Sequence, residues 1–338
     1  MAFNGRFILN IAHYAAKQGA NFDQLIAYSG HKVTQLEQSE FTVSDEHYNT
    51  VIEQAVLQTN DPFFGLHVGE SQQLSAIGLI LQISQSSETV RQALEYCCQF
   101  ANLGCSALPL SLEEMKDCYK VKMTPNPLWM EQSPISVKHT ADGVMVFSLR
   151  EFYSLTRENY RPIAIHLPWS QPRDIREYQR ILACPIYFKK NEIAILLQKR
   201  HVEEKVITSD HALLQVLLAH AEQKSNQLQK KKGFQAIVKQ SVINLIQPSF
   251  PSIEQVAAHL NLSLRTLQRK LKVEGYTYKQ LIDELRKEFA ITYLKKPELS
   301  ITEIAFLLNY ADTSAFSRSF KRWTGQRPVE FRKQNRKT

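Results

Sequence analysis

The sequence predicts an α/β N-terminal domain, helices with a small mixed sheet, followed by an all-α C-terminal domain with two helix-turn-helix units. Three observations predict it. The last 90 residues carry one pattern twice: Ile253, Val256, Ala257 and Leu260 match Ile301, Ile304, Ala305 and Leu308 at an offset of 48. Leu267, Arg269 and Leu271 then match Phe316, Arg318 and Phe320 at 49, and Gly275 matches Gly325 at 50. Second, the middle of the chain holds short runs with apolar residues at alternating positions, such as Tyr119, Val121 and Met123, as strands require. Third, the net charge of +8 is confined to one end: residues 249–338 hold 17 Lys and Arg against 9 Asp and Glu, while the first 248 residues are neutral.

In chain order, residues 1 to about 60 read as helices. Ile8, Ile11, Ala12, Ala15 and Ala16 recur at helical spacing, as do Tyr48, Val51, Ile52, Ala55 and Val56, with Asp45 the candidate N-cap of the second run. A segment marked by Gly65, Gly69 and Gly78 follows. Ser86 or Ser87 is placed to cap a helix running to about Leu103. Leu108–Leu112 and Cys118–Met123 read as strands, Val137–Tyr153 as a helix, and Pro162–Leu167 as a proline-bounded strand. Asp174–Leu182 reads as a helix, and Ile186–Phe188 with Glu192–Leu196 as a strand pair. Ser209–Gln229 is a longer helix whose Leu213, Leu214, Leu217, Leu218, Ala221 and Leu228 form either a dimer seam or a face packed on their own domain. Lys230-Lys231-Lys232-Gly233 marks its stop. The expected domains are therefore 1–205, a helix and basic linker at 206–233, and 234–338 with units at 253–275 and 301–325.

Each unit has the chemistry of a DNA reader. In the first, Ile253–Leu260 is a short amphipathic helix, Asn261-Leu262 a turn, and Ser263 the N-cap of the next helix. There Leu264, Leu267 and Leu271 fall on one face. The other face shows Arg265, Thr266, Gln268, Arg269 and Lys272. Arg and Gln suit guanine and adenine edges bidentately, and Lys suits phosphate. In the second unit Asp312 or Thr313 caps the second helix and Phe316 and Phe320 point inward. Thr313, Ser314, Ser317, Arg318, Lys321 and Arg322 remain for DNA. Short hydroxyl side chains select bases less than Arg does, so the first unit is expected to carry more of the specificity. Tyr278–Leu294 is the helix between the units.

Other classes find little support. The sequence has no HExxH, GxSxG, phosphate-binding glycine loop or Cys/His cluster, so neither an enzyme nor a cofactor or metal is expected. Its five cysteines include no CxxC and read as reduced thiols. No signal peptide and no run of roughly 18 apolar residues is present, which points to the cytoplasm and away from a membrane.

The second unit, through ADTSAFSRSFKRWTGQRPVEFR with Phe316, Ser317, Phe320, Lys321, Gly325, Pro328 and Arg332, resembles the DNA-binding domain of the AraC/XylS family of transcription regulators. The resemblance implies that two units contact successive major grooves, roughly 34 Å apart, on one face of double-stranded promoter DNA. By it, Arg265, Thr266, Gln268 and Arg269, and then Thr313, Ser314, Ser317 and Arg318, face the grooves. One departure is Asn309 where the family has Gly; Asn261 holds the corresponding place in the first unit, and Asn tolerates a left-handed backbone. Gly65-Leu66, Gly69, Gly78-Leu79 and the Ser87–Leu94 helix start resemble the effector domain of ornithine-utilisation-type regulators. That resemblance implies an activator with a small-molecule effector, self-association as a homodimer and a contact to RNA polymerase. The alternative is a DNA binder whose first domain docks only to protein. No effector-binding residue is identifiable.

Overall fold

The structure, a computed structural model, describes residues 2–38, 41–71, 78–158, 161–246 and 250–335. The chain forms two compact units, Met1–Pro125 with Ser133–Ser225, and Asn126–Gln132 with Asn226–Thr338.

The first unit opens with β1 (Ala2–Asn4), then α1 (Gly5–Lys17), α2 (Phe22–Tyr28), α3 (Val33–Leu36), β2 (Thr42–Ser44) and α4 (Asp45–Thr59). β1 and β2 pair antiparallel. The sequence pattern reads as helical over this whole stretch, because three-residue strands are too short to show a period of two. The N-cap of α4 is Ser44, whose hydroxyl accepts from the His47 N–H, and Asp45 is the first helical residue.

The glycine-marked segment is helical too: α5 (Phe64–Ser71) and α6 (Gly78–Ser86). Gly65 and Gly69 lie four residues apart on α5, on the face that meets α9 (Pro134–Thr156). A Cβ on Gly65 would stand 2.2 Å from the His139 carbonyl oxygen, and one on Gly69 2.5 Å from that of Gly143. These glycines bring two helix backbones together and serve no turn. Next, α7 (Val90–Phe100) starts later than expected: its cap is Thr89, which accepts from the Gln92 N–H, while Ser87 is buried and donates to the Ile83 carbonyl.

The main sheet runs β3 (Leu110–Glu114), β4 (Cys118–Met123), β7 (Ile193–Gln198), β5 (Ala164–His166), β6 (Ile186–Tyr187) in spatial order. All neighbours are antiparallel except β5 and β6, so the sheet is mixed. β6 and β7, expected to pair with each other, instead flank β5. α10 (Arg176–Leu182) and α11 (Lys199–Val202) complete this part; α8 (Pro127–Gln132) belongs to the second unit.

α12 (His211–Leu245) is helical on either side of Gly233, which leaves helical geometry at the position where the stop was expected. Leu214 and Ala221 are buried with Ile80, Ile83 and Phe100, and Leu217 and Leu218 pack on that cluster. The leucine stripe thus covers its own domain, while Leu213 stays exposed. The side chains of Leu228 and Lys230–Lys232 lie outside the described residues.

Candidate nucleic-acid interface

The second unit continues with α13 (Ile253–His259), α14 (Leu264–Val273), α15 (Tyr278–Leu294), α16 (Ile301–Leu307), α17 (Thr313–Thr324) and α18 (Pro328–Asn335). The sequence specifies each helix start. Ser252 and Gln255 form a capping box, as do Ser300 and Glu303, and Thr277 and Gln280. The Ser300 backbone N–H holds the Glu303 carboxyl below its ordinary value. Ser263 caps α14 through the Thr266 N–H, and Asp312, not Thr313, caps α17 through the Ala315 N–H.

Both helix-turn-helix corners close alike. Asn261 (φ 52°) and Asn309 (φ 58°) adopt the left-handed conformation. Leu262 N–H then reaches back to the Ala257 carbonyl, and Tyr310 N–H to that of Ala305, each at 2.9 Å. The result is a Schellman closure with Asn in the place of Gly. The second corner holds one more residue before its cap, which accounts for the change of offset from 48 to 49. Gly275 (φ 79°) and Gly325 (φ 78°) end the two second helices.

Each unit has its own core, and α15 serves both. Leu281, Ile282 and Leu285 join Val256, Ala257, Leu267 and Leu271 in the first. Phe289, Ala290 and Leu294 join Ile304, Ala305, Leu308, Phe316 and Phe320 in the second. Leu128 of α8 is also buried in this second core, and Lys296 pairs with Glu131. Arg332, singled out in the sequence only as part of a signature, donates through Nε to the Leu294 carbonyl at the end of α15. It satisfies an acceptor that the helix leaves open.

These anchors decide which faces remain free. Leu267 and Leu271 on α14, and Phe316 and Phe320 on α17, are buried. Leu264, expected beside them, is 38% exposed: it sits in the first turn, where α14 overhangs the core. Arg265, Gln268, Arg269 and Lys272 are exposed along α14, and Thr266 is half-buried with its hydroxyl bonded to Ser263. On α17, Ser314, Arg318 and Lys321 are exposed, and Thr313 and Ser317 half-buried. Arg322 is exposed but meets Asp283 of α15 at 3.1 Å, so it is already tied to its own domain.

Sequence reasoning missed two residues that build the α14 side. Lys270 lies over the Phe234 ring at 5.2 Å. Glu274, just past α14, accepts the Phe234 and Gln235 N–H groups at 2.5 and 2.8 Å. It caps a new helix start created inside α12, where Gly233 leaves helical geometry (φ 71°, ψ 160°). Glu274 is 40 residues from its partner, so no local pattern could reveal it.

Comparison with known proteins agrees with this architecture. Residues 19–206 match the model of the arabinose-binding domain of AraC transcription regulators, and residues 256–334 match a helix-turn-helix domain. The Ornithine utilization regulator of Pseudomonas aeruginosa is 26% identical over 290 residues, 84% of this chain and 83% of its own. The regulator VirS of Mycobacterium tuberculosis is 24% identical over 292 residues, 83% of this chain and 82% of its own. The transcriptional activator RhaS of Klebsiella pneumoniae is 38% identical over 80 residues, 23% of this chain and 29% of its own. These relatives are transcription regulators, not enzymes. With both the N-terminal domain and the paired helix-turn-helix region matched, the chain belongs to the AraC family of DNA-binding transcription regulators.

Proposed function

We propose that α14 and α17 enter successive major grooves of promoter DNA. Arg265, Thr266, Gln268 and Arg269 meet base edges from α14, and Thr313, Ser314, Ser317 and Arg318 from α17. Lys272 and Lys321 meet phosphate, and Arg322, paired with Asp283, borders them at the DNA face. The observation that carries this reading is that two capped helices, both seated on α15, bury Leu267, Leu271, Phe316 and Phe320 and leave Arg265, Gln268, Arg269, Ser314 and Arg318 exposed. The net positive charge of residues 249–338 supplies the attraction to phosphate. The first unit acts as a small-molecule sensor, a reading supported by the description of the family model it matches. The protein acts as an activator, a reading supported by the name of the relative RhaS. In this reading it works in the cytoplasm, contacts RNA polymerase and self-associates.

Selection of binding sites from random duplex DNA, with and without cell-extract metabolites, tests this. Two boxes about one helical turn apart are expected, with enrichment that changes when metabolites are added. A single box would limit reading to one unit. Enrichment indifferent to metabolites would remove the sensing role. A promoter fusion that is transcribed less when the protein is present would replace activation with repression.

A further inference from the structure

The first unit contains an apolar cavity of about 140 Å³ between α6, α7, α9 and the β3–β4 edge of the sheet. Its walls include Ile80, Leu108, Val121, Met123, Phe147 and Phe152. A mostly apolar space of this size takes up a molecule the size of a small ring or short chain.

The few polar groups on its wall restrict what fits. Among the described residues no Lys, Arg or His lines it. Three thiols do, and burial is the first cause that keeps them protonated: Cys97 is raised, Cys98 is pushed up to about 12 and Cys105 to about 11. The Ser84 hydroxyl is spent on the Ile80 carbonyl and the Cys97 sulfur. Among the described residues Glu151 is the single carboxylate on the wall. Burial raises its carboxyl, and among the described residues its side chain receives a hydrogen bond from Ser154 alone, a long one at 3.5 Å. An anion would therefore meet a carboxylate, and Arg150, the cation that acts on Glu151, is bonded to the Gly69 and Glu70 carbonyls. A hydrogen-bond donor would find an acceptor that is short of partners.

We propose that this cavity binds a small apolar molecule with one hydrogen-bond-donating end, an amine or a hydroxyl, which meets Glu151. The assignment rests on the sensing role proposed above and gives that role a place and a ligand chemistry. The apolar body fills the space between α7 and α9, and the donor sits where α9 offers its only acidic side chain to the cavity.

The test uses the full-length protein with hexylamine, hexan-1-ol and hexanoate, read by isothermal titration and by melting temperature. Hexylamine and hexanol are expected to bind one to one, and hexanoate at least tenfold more weakly. Each added methylene tightens binding about fourfold until the cavity is full. Glu151→Gln weakens hexylamine tenfold or more and changes hexanol by less than threefold; the reverse pattern assigns the natural ligand to the alcohols. Ala93→Leu and, independently, Ser148→Leu fill the space and abolish binding of both probes. Hexanoate binding as tightly as hexylamine, no binding of any probe, or full binding by a filled variant that melts as a folded protein overturns the proposal. The sensing role is read separately. If the probes bind but leave DNA affinity unchanged, the site stands and sensing fails. If metabolites still alter DNA binding by the filled variants, sensing stands and this site fails.

Discussion

Arg269 and Lys272 stand three residues apart on one exposed face, yet they predict different phenotypes. Arg265→Ala or Arg269→Ala is expected to cost about 1–3 kcal/mol on the selected site and to relax base preference. Lys272→Ala is expected to weaken all sequences alike and to reduce the salt slope by about one. Titration of selected and random duplexes over a salt series separates the two, and equal loss on both DNAs for Arg269→Ala would move that contact to phosphate. Half-buried His67 and buried His139 make opposite pH predictions. Burial alone would lower the His67 imidazole, but hydrogen bonds to Asp61 and Glu177 hold it above its ordinary value. Its stabilisation is complete below about 6.5 and is lost as pH rises through the folded pKa. Burial, helped by Lys138, depresses His139 to about 3, and it accepts the Gly65 N–H as a neutral ring. The unfolded chain takes a proton there below about 6.5, so stability is lost on acidification by up to about 1.4 kcal/mol per pH unit. Melts from pH 5 to 9 are expected to lose their alkaline decline in His67→Gln and their acid decline in His139→Asn. Unchanged profiles in both would assign the pH dependence to other groups. At this scale the sequence is readable where the partner is near: Ser263 announces itself as a cap. It is ambiguous where several candidates adjoin, as in Ser86-Ser87-Glu88-Thr89, and blind where the partner is distant, as for Glu274.

Elements reveal themselves by the faces they bury, which is why the helix Tyr278–Leu294 and the strand Cys118–Met123 are legible to the residue while β1 and β2 are not. Four or more turns of apolar spacing define a helix; three residues define nothing. The α5–α9 crossing shows a further limit. Glycine in a sequence suggests a turn, but Gly65 and Gly69 are helical residues whose missing side chains let backbones touch. Only the partner helix, 74 residues on, explains them. Gly65→Ala and Gly69→Ala each put a methyl group on backbone atoms that cannot yield, and each is expected to destabilise the first unit by about 3 kcal/mol or more. Denaturant unfolding followed by the far-ultraviolet signal checks this. A wild-type midpoint for Gly65→Ala would mean that the two helices can separate without loss. The sheet order was unreadable for a related reason: β6 and β7 are neighbours in sequence, but both are drawn to β5.

For the whole molecule, the confinement of positive charge to residues 249–338 was visible in composition and pointed to the polyanion-binding end. The make-up of the second unit was not. Its second core includes Leu128, a residue that lies more than 100 positions earlier, on a short helix with no pattern of its own. Leu128→Ala is expected to cost about 2–4 kcal/mol. Hydrogen exchange is expected to show the loss at the α17 amides, and unchanged α17 protection would mean that α8 adds nothing to that core. The sharing of α15 between both cores has a consequence for the DNA partner. Two reading heads fixed to one rigid bar cannot adjust their mutual rotation, whereas the rotation between consecutive grooves varies with the winding of the duplex. If α14 and α17 read DNA together, the protein is also a gauge of torsion: negative supercoiling or an intercalator would turn one box out of reach while leaving every base in place.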